Sequence, residues 1–167
     1  VVENGAIKEV PILPELYHLV GLPQEKAFHE FDGWYHTLAV VSETEPDLTL
    51  RWGALLHDVA KGMPTIRQVI NGRYTDRGHD NLGAEMAYDL LIRLGYNKKF
   101  ASRVSWIVKN HMRFHFFVQN EEADEKKWMR KEIRSGEFRD SQSMREAWLQ
   151  LAKVCAADVL GCGKPYS

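Results

Sequence analysis

The stretch Leu50–Gly62, LRWGALLHDVAKG, sets a histidine and an aspartate side by side in an otherwise apolar run. A carboxylate among apolar neighbours is costly unless a positive or hydrogen-bonding group meets it, and an imidazole needs a partner at each ring nitrogen. Two arrangements meet that need. In one, His57 and Asp58 are satisfied by backbone and neighbouring side chains. In the other they share a metal ion lying between their directions, which diverge by roughly 100° on a helix. The rest of the chain has to decide.

Around this stretch the pattern is helical. Asp47 is placed to N-cap a helix in which Leu48, Leu50, Trp52, Ala54, Leu55, Leu56, Val59 and Ala60 leave almost no polar face, as in a central helix, until Gly62 and Pro64 stop it. Upstream, prolines and glycines break the chain into a loop and a short helix over 15–20, and WYHTLAVVSE (34–43) forms a helix with His36 in its first turn. Downstream, Asn71-Gly72 within TIRQVINGRYTDRG (65–78) marks a small hairpin or an irregular surface excursion. Leu82, Met86, Leu90 and Leu94 recur at helical spacing, with His79 at the start of that element. Asn97 or Ser102 opens the next helix, which carries His111 near its end. Residues 121–134 read as a solvated helix with an inner stripe of Trp128, Met129 and Ile133. A last helix runs from about Ser143 to Gly161, with Asp158 in its final apolar stretch. The fold class is all-α, a helical bundle around the helix that bears His57-Asp58.

Composition bounds the function. At 167 residues, 44% hydrophobic and 27% charged, the chain matches one domain with a real core, and its net charge of −1 gives no global field for polyanions. Polynucleotide contact would have to be local. No apolar run approaches the roughly 20 residues of a membrane span, and the two cysteines, Cys155 and Cys162, do not form a CxxC pair, which fits a cytoplasmic protein. The opening VVENGAIKEV starts on Val1 and reads as a leader or linker over 1–13, so the expectation is a single domain over 1–167 cut from a longer chain.

Five of these helices each offer a strong ligating side chain in apolar surroundings: His36, His57 with Asp58, His79, His111 and Asp158. Mixed histidine and carboxylate donors suit Mn, Fe, Co, Ni or Zn, whereas oxygen alone would favour Mg or Ca. Asp158 sits at a helix C-terminus, where the macrodipole disfavours a negative charge and a nearby cation would offset it.

The ordered contexts YHTLAV, LLHDVAKG, GHDNLGAEMA, KNHM and AADVLG resemble the HD superfamily of metal-dependent phosphohydrolases, and most closely the HD domain of bacterial tRNA nucleotidyltransferases of the CCA-adding and poly(A) polymerase type. The resemblance runs from about Leu13 to Gly161. It implies one or two divalent ions (Mn, Ni, Co, Fe, Zn or Mg), with His36, His57, Asp58 and Asp158 as first-metal ligands, Asp58 able to bridge, and His79 and His111 completing a second site. It further implies hydrolysis of nucleotide or RNA-end phosphoesters, either phosphomonoesters or 2′,3′-cyclic phosphodiesters, with possible contact to tRNA. Asp58 and Lys61 are then the catalytic candidates. Lys61, one turn beyond Asp58, can meet a phosphate oxygen or be a solvated lysine, and Arg77 is a candidate only by its closeness to His79. His18, His29 and His115 receive no role. No D-x-D pair is present, so the carboxylate cluster of a nucleotidyltransferase head is missing and polymerisation is not a function of this chain. Two other readings stand beside the hydrolase: an accessory tRNA-contacting module with a structural or vestigial site, and a di-iron oxygenase.

Overall fold

A computed structural model describes residues 11–163, together with the strand backbones of β1 (Val2–Glu3) and β2 (Ala6–Ile7), which pair antiparallel. The leader expected over 1–13 therefore falls partly outside the described residues. A 3-10 turn at Pro14–Leu19 leads into α1 (Gly33–Ser42) and α2 (Leu48–Leu56). Then come β3 (Gln68–Ile70), β4 (Arg73–Thr75), α3 (His79–Arg93), α4 (Lys98–Val118), α5 (Glu125–Arg134) and α6 (Ser141–Leu160). The all-α reading holds, with two small hairpins added.

The helix starts follow local chemistry. Asp32, Asp47, Asn97, Asp124 and Asp140 each accept a hydrogen bond from the backbone N–H three residues on, at 2.7 to 3.0 Å. Each such cap is worth about 1 kcal/mol. Asn71 and Gly72 both take positive φ, 51° and 73°, between Ile70 and Arg73, the geometry a two-residue hairpin turn requires. That resolves the 65–78 stretch as a hairpin.

Two boundaries differ from expectation, and both matter to function. The helix expected to run through Ala60 ends at Leu56, where the His57 imidazole Nδ1–H donates to Ala54 O at 2.6 Å. From there the chain winds in tight three-residue turns, Val59 N to Leu56 O and Lys61 N to Asp58 O. His57 and Asp58 therefore lie just beyond the helix end. In the other case α4 continues seven residues past His111 to Val118, so His111 sits inside the helix and His115 one turn beyond it.

Helix α4, about 30 Å long, divides the interior. Its Ala101, Val104 and Val108 join Leu56, Val59, Ala87, Leu90 and Leu91 in one apolar cluster, while its Trp106, Ile107 and Phe114 join Met144, Leu151, Val154 and Trp128 in another. A third, smaller cluster of Val40, Ala54 and Ala157 ties α1, α2 and α6 together. The close approach of α6 to α1 depends on Gly161: a Cβ there would stand 2.6 Å from Val40 Cγ2 and 2.9 Å from Val40 N. The ends of α1, α2 and α6 thus converge beside the middle of α4.

Candidate metal centre

At that convergence His36, His57, Asp58, His79 and His111 are all buried, and Asp158 is nearly so. The imidazoles are set by the same device. Nδ1 faces a backbone carbonyl in each: Gly161 O for His36, Ala54 O for His57, Asp76 O for His79 and Val108 O for His111, at 2.6 to 3.0 Å. A carbonyl only accepts, so Nδ1 carries the proton and the Nε2 lone pair is aimed inward, as a ligating histidine requires.

Asp58 stands among these lone pairs, and its two oxygens are divided. Oδ2 lies 3.2 Å from His57 Nε2 and 3.6 Å from His36 Nε2, while Oδ1 lies 3.3 Å from His79 Nε2 and 3.5 Å from His111 Nε2. Asp158 completes the first group, its Oδ1 2.9 Å from His36 Nε2 and 3.3 Å from His57 Nε2. Two donor sets result, His36, His57, Asp58 and Asp158 in one and Asp58, His79 and His111 in the other, each with donor atoms within 4.8 Å of one another.

The chemistry of these donors fits divalent ions. His57 Nε2 is buried with no hydrogen-bond partner despite two carboxylate oxygens nearby. His79 Nε2 and His111 Nε2 face each other at 3.2 Å as two lone pairs, which repel unless a cation or a proton stands between them. Burial opposes charge throughout, yet Asp58 and Asp158 together raise His57 well above its ordinary value, and His57 in turn holds both carboxyls well below theirs. Burial pushes His111 down, with His79 adding to the effect.

Lys61 is not a free cation. Its ammonium lies 3.0 Å from Asp58 Oδ2 and 3.3 Å from Gln24 Oε1, on the wall of an open cavity of about 440 Å³ that leads to His79. Arg77 is exposed on the same cavity. Asp76 braces this wall: it receives both forks of Arg67 at 3.0 and 2.9 Å, accepts from Gly62 N, and lends its carbonyl to His79.

Of the residues given no role, His115 belongs to the centre. Its Nε2 lies 2.8 Å from Asp158 Oδ2, the oxygen turned away from His36. The i, i+4 spacing from His111 was the available signal, and it was missed because the helix was ended too early. His29 and Cys162 also come within donor range of His36. Burial and the Asp158 carboxylate push the Cys162 thiol up to about 11, so this third grouping lacks an anionic donor. Burial lowers His29 to about 4, leaving it neutral at the cavity edge.

Among described residues no helix is long and apolar enough to cross a membrane. The chain is 37% identical over 105 residues to the A-adding tRNA nucleotidyltransferase of Deinococcus radiodurans and 38% identical over 105 residues to the CC-adding tRNA nucleotidyltransferase of Thermus thermophilus, covering 60% of this chain and 24% of each relative. It is 28% identical over 163 residues to the multifunctional CCA protein of Cupriavidus necator, covering 95% of this chain and 36% of that protein. It thus spans between a quarter and about a third of these relatives' length. The HD domain model matches residues 33–158, from the start of α1 to Asp158, and the chain belongs to the HD domain family.

Proposed function

We propose that the protein is a metal-dependent phosphohydrolase acting on nucleotide or RNA-end phosphoesters, phosphomonoesters or 2′,3′-cyclic phosphodiesters. The observation that carries this reading is the division of Asp58, whose two oxygens face separate histidine pairs. A carboxylate so placed can join two cations, the arrangement suited to in-line displacement at phosphorus.

His36, His57, Asp58 and Asp158 would hold one ion, and Asp58, His79 and His111 the other. Such ions supply Lewis acidity, activating water and neutralising charge on the phosphoryl oxygens. The chain's own residues do the rest. Backbone carbonyls lock each imidazole in its ligating tautomer, which avoids reorganisation when substrate arrives. Lys61, anchored on Asp58, presents positive charge at the cavity floor, and Arg77 adds more at the rim. Phe28, Tyr74 and Phe116 supply an aromatic outer wall for the organic part of the ester.

The test is elemental analysis after reconstitution with Mn, Co, Ni, Zn and Fe in turn, beside turnover of bis-p-nitrophenyl phosphate and 2′,3′-cyclic nucleotides. Metal-dependent release of nitrophenol is expected. Metal binding without hydrolysis of any ester would move the assignment to the accessory tRNA-contacting module, a reading favoured by the chain's likeness to tRNA nucleotidyltransferases. Dioxygen consumption by the iron form alone would move it to the oxygenase.

A further inference from the structure

Beyond the metal cavity, α4 and α5 enclose a second open groove of about 780 Å³. On α5, Lys127, Arg130, Lys131 and Arg134 recur at i, i+3, i+4 and i+7, a single exposed face that runs roughly 10 Å along the axis. Arg113 of α4 stands on the opposite wall, its guanidinium 4.1 Å above the Trp128 ring. One acidic side chain, Asp124, lines the groove, and it lies 3.9 Å from Arg130. Glu132, the acid within the basic run, is turned inward and held by Trp106, Trp128 and Arg113. The acid within the run is therefore paired with Arg113 and two indoles, not with the α5 stripe. For a chain of net charge −1, this is a concentrated positive surface.

The groove and the metal cavity share a wall residue, Phe116, which is 65% exposed. Its ring lines both openings and offers a flat apolar face between them. Positive side chains that track a backbone, with an exposed aromatic ring beside them, are the elements of a single-strand binding surface. A folded acidic partner would need the cations but not a continuous path into the catalytic cavity.

We infer that this groove carries a single-stranded polynucleotide, RNA on the function proposed above, whose terminal phosphate enters the metal cavity past Phe116. The inference rests on that function for the identity of the reacting end, but not for binding itself. A few nucleotides fill the groove, with phosphates on Lys127, Arg130, Lys131 and Arg134 and a base against Phe116. A short oligonucleotide is then a better ligand than a mononucleotide.

Fluorescence anisotropy with a labelled RNA octamer ending in a 2′,3′-cyclic phosphate, at rising salt, tests this on the chelated protein. Binding should weaken with salt, with a slope of about 0.7 per phosphate neutralised. The variant R130E/K131E/R134E should bind at least tenfold more weakly and lose about 2 from that slope. In the metal-loaded protein the same variant should raise KM for the octamer about tenfold, with bis-p-nitrophenyl phosphate turnover unchanged. Equal octamer affinity in wild type and variant would overturn the inference, as would a mononucleotide binding as tightly as the octamer or polyglutamate competing as well as RNA. If no metal form cleaves bis-p-nitrophenyl phosphate, the hydrolase reading fails while the anisotropy still decides the groove.

Discussion

The two halves of the centre differ in their donors. Around Asp58 Oδ2, two histidines face two carboxylates, with the Lys61 ammonium 3.0 Å from Oδ2; around Oδ1, two histidines face a single carboxylate oxygen. The first half sits where α1, the end of α2 and α6 meet, whereas His79 of the second lines the open cavity. The consequence is visible in the titrating groups. Carboxylates lift His57 well above its ordinary value, so a proton and a cation compete for the first half, while burial and a neighbouring histidine push His111 down. The first half should load tightly and hold its ion; the second should bind more weakly and exchange at the substrate's side.

The sharpest way to break this comparison is Asp58→Asn, which withdraws an oxygen anion from both halves. Metal content measured by plasma emission should fall at both, and phosphoester turnover should drop on the order of a thousandfold, as for loss of a principal charge-stabilising group. Retention of one full equivalent would show that Asp58 serves one half only. Next, Asp158→Asn should abolish turnover and empty the first half while circular dichroism remains native. His79→Ala or His111→Ala should remove one equivalent and leave the other. If His79→Ala instead emptied both halves, they would be one coupled site.

His115→Ala should weaken metal affinity about 10- to 100-fold, the usual cost of losing a partner to a ligand, with partial rescue by His115→Gln. Unchanged affinity would make the His115 contact to Asp158 incidental. The smallest effect is protonic. His57 titrates above 6.5, so below that raised value a proton competes with the first cation, and affinity should climb with pH until His57 is neutral. His111 titrates below 6.5, so its own proton should not compete with the second cation above neutrality. Calorimetry at pH 7 in buffers of different ionisation enthalpy should find proton release on loading the first half.

Much of this was readable from residue order. His36, His57, Asp58, His79, His111 and Asp158 stood out by their order along the chain and by mostly apolar surroundings, and the structure brings all six together. Periodicity located α1, α3 and α6, and the capping residues Asp47 and Asn97 opened α2 and α4. What stayed hidden were effects of side chains on backbone and of distance. No pattern of apolar spacing reports that the His57 ring takes the Ala54 carbonyl or that α2 stops at Leu56. Nor does it report that RFHFF remains helical, which alone brings His115 to Asp158. Lys61 could be placed near Asp58 by spacing, but its tie to Gln24, 37 residues away, belongs to tertiary structure.

The separation of the donors along the chain has a consequence for the order in which the protein assembles. His79 and His111 are 32 residues apart on helices that adjoin in sequence, whereas His36 must find Asp158 across 122 residues. Nearly two doublings of loop length cost about 1.2 kcal/mol of extra closure entropy. A chain emerging from a ribosome can therefore join α3 and α4 before α6 exists, so the half with the single carboxylate oxygen is the first to gather its side chains. The half with two carboxylates closes only when Gly161 has slid beneath Val40 and its carbonyl has reached the His36 ring. Up to that moment His57 and Asp58 wait beside an incomplete partner set, and a cation caught by the early half would hold Asp58 in place as a template on which the late half forms.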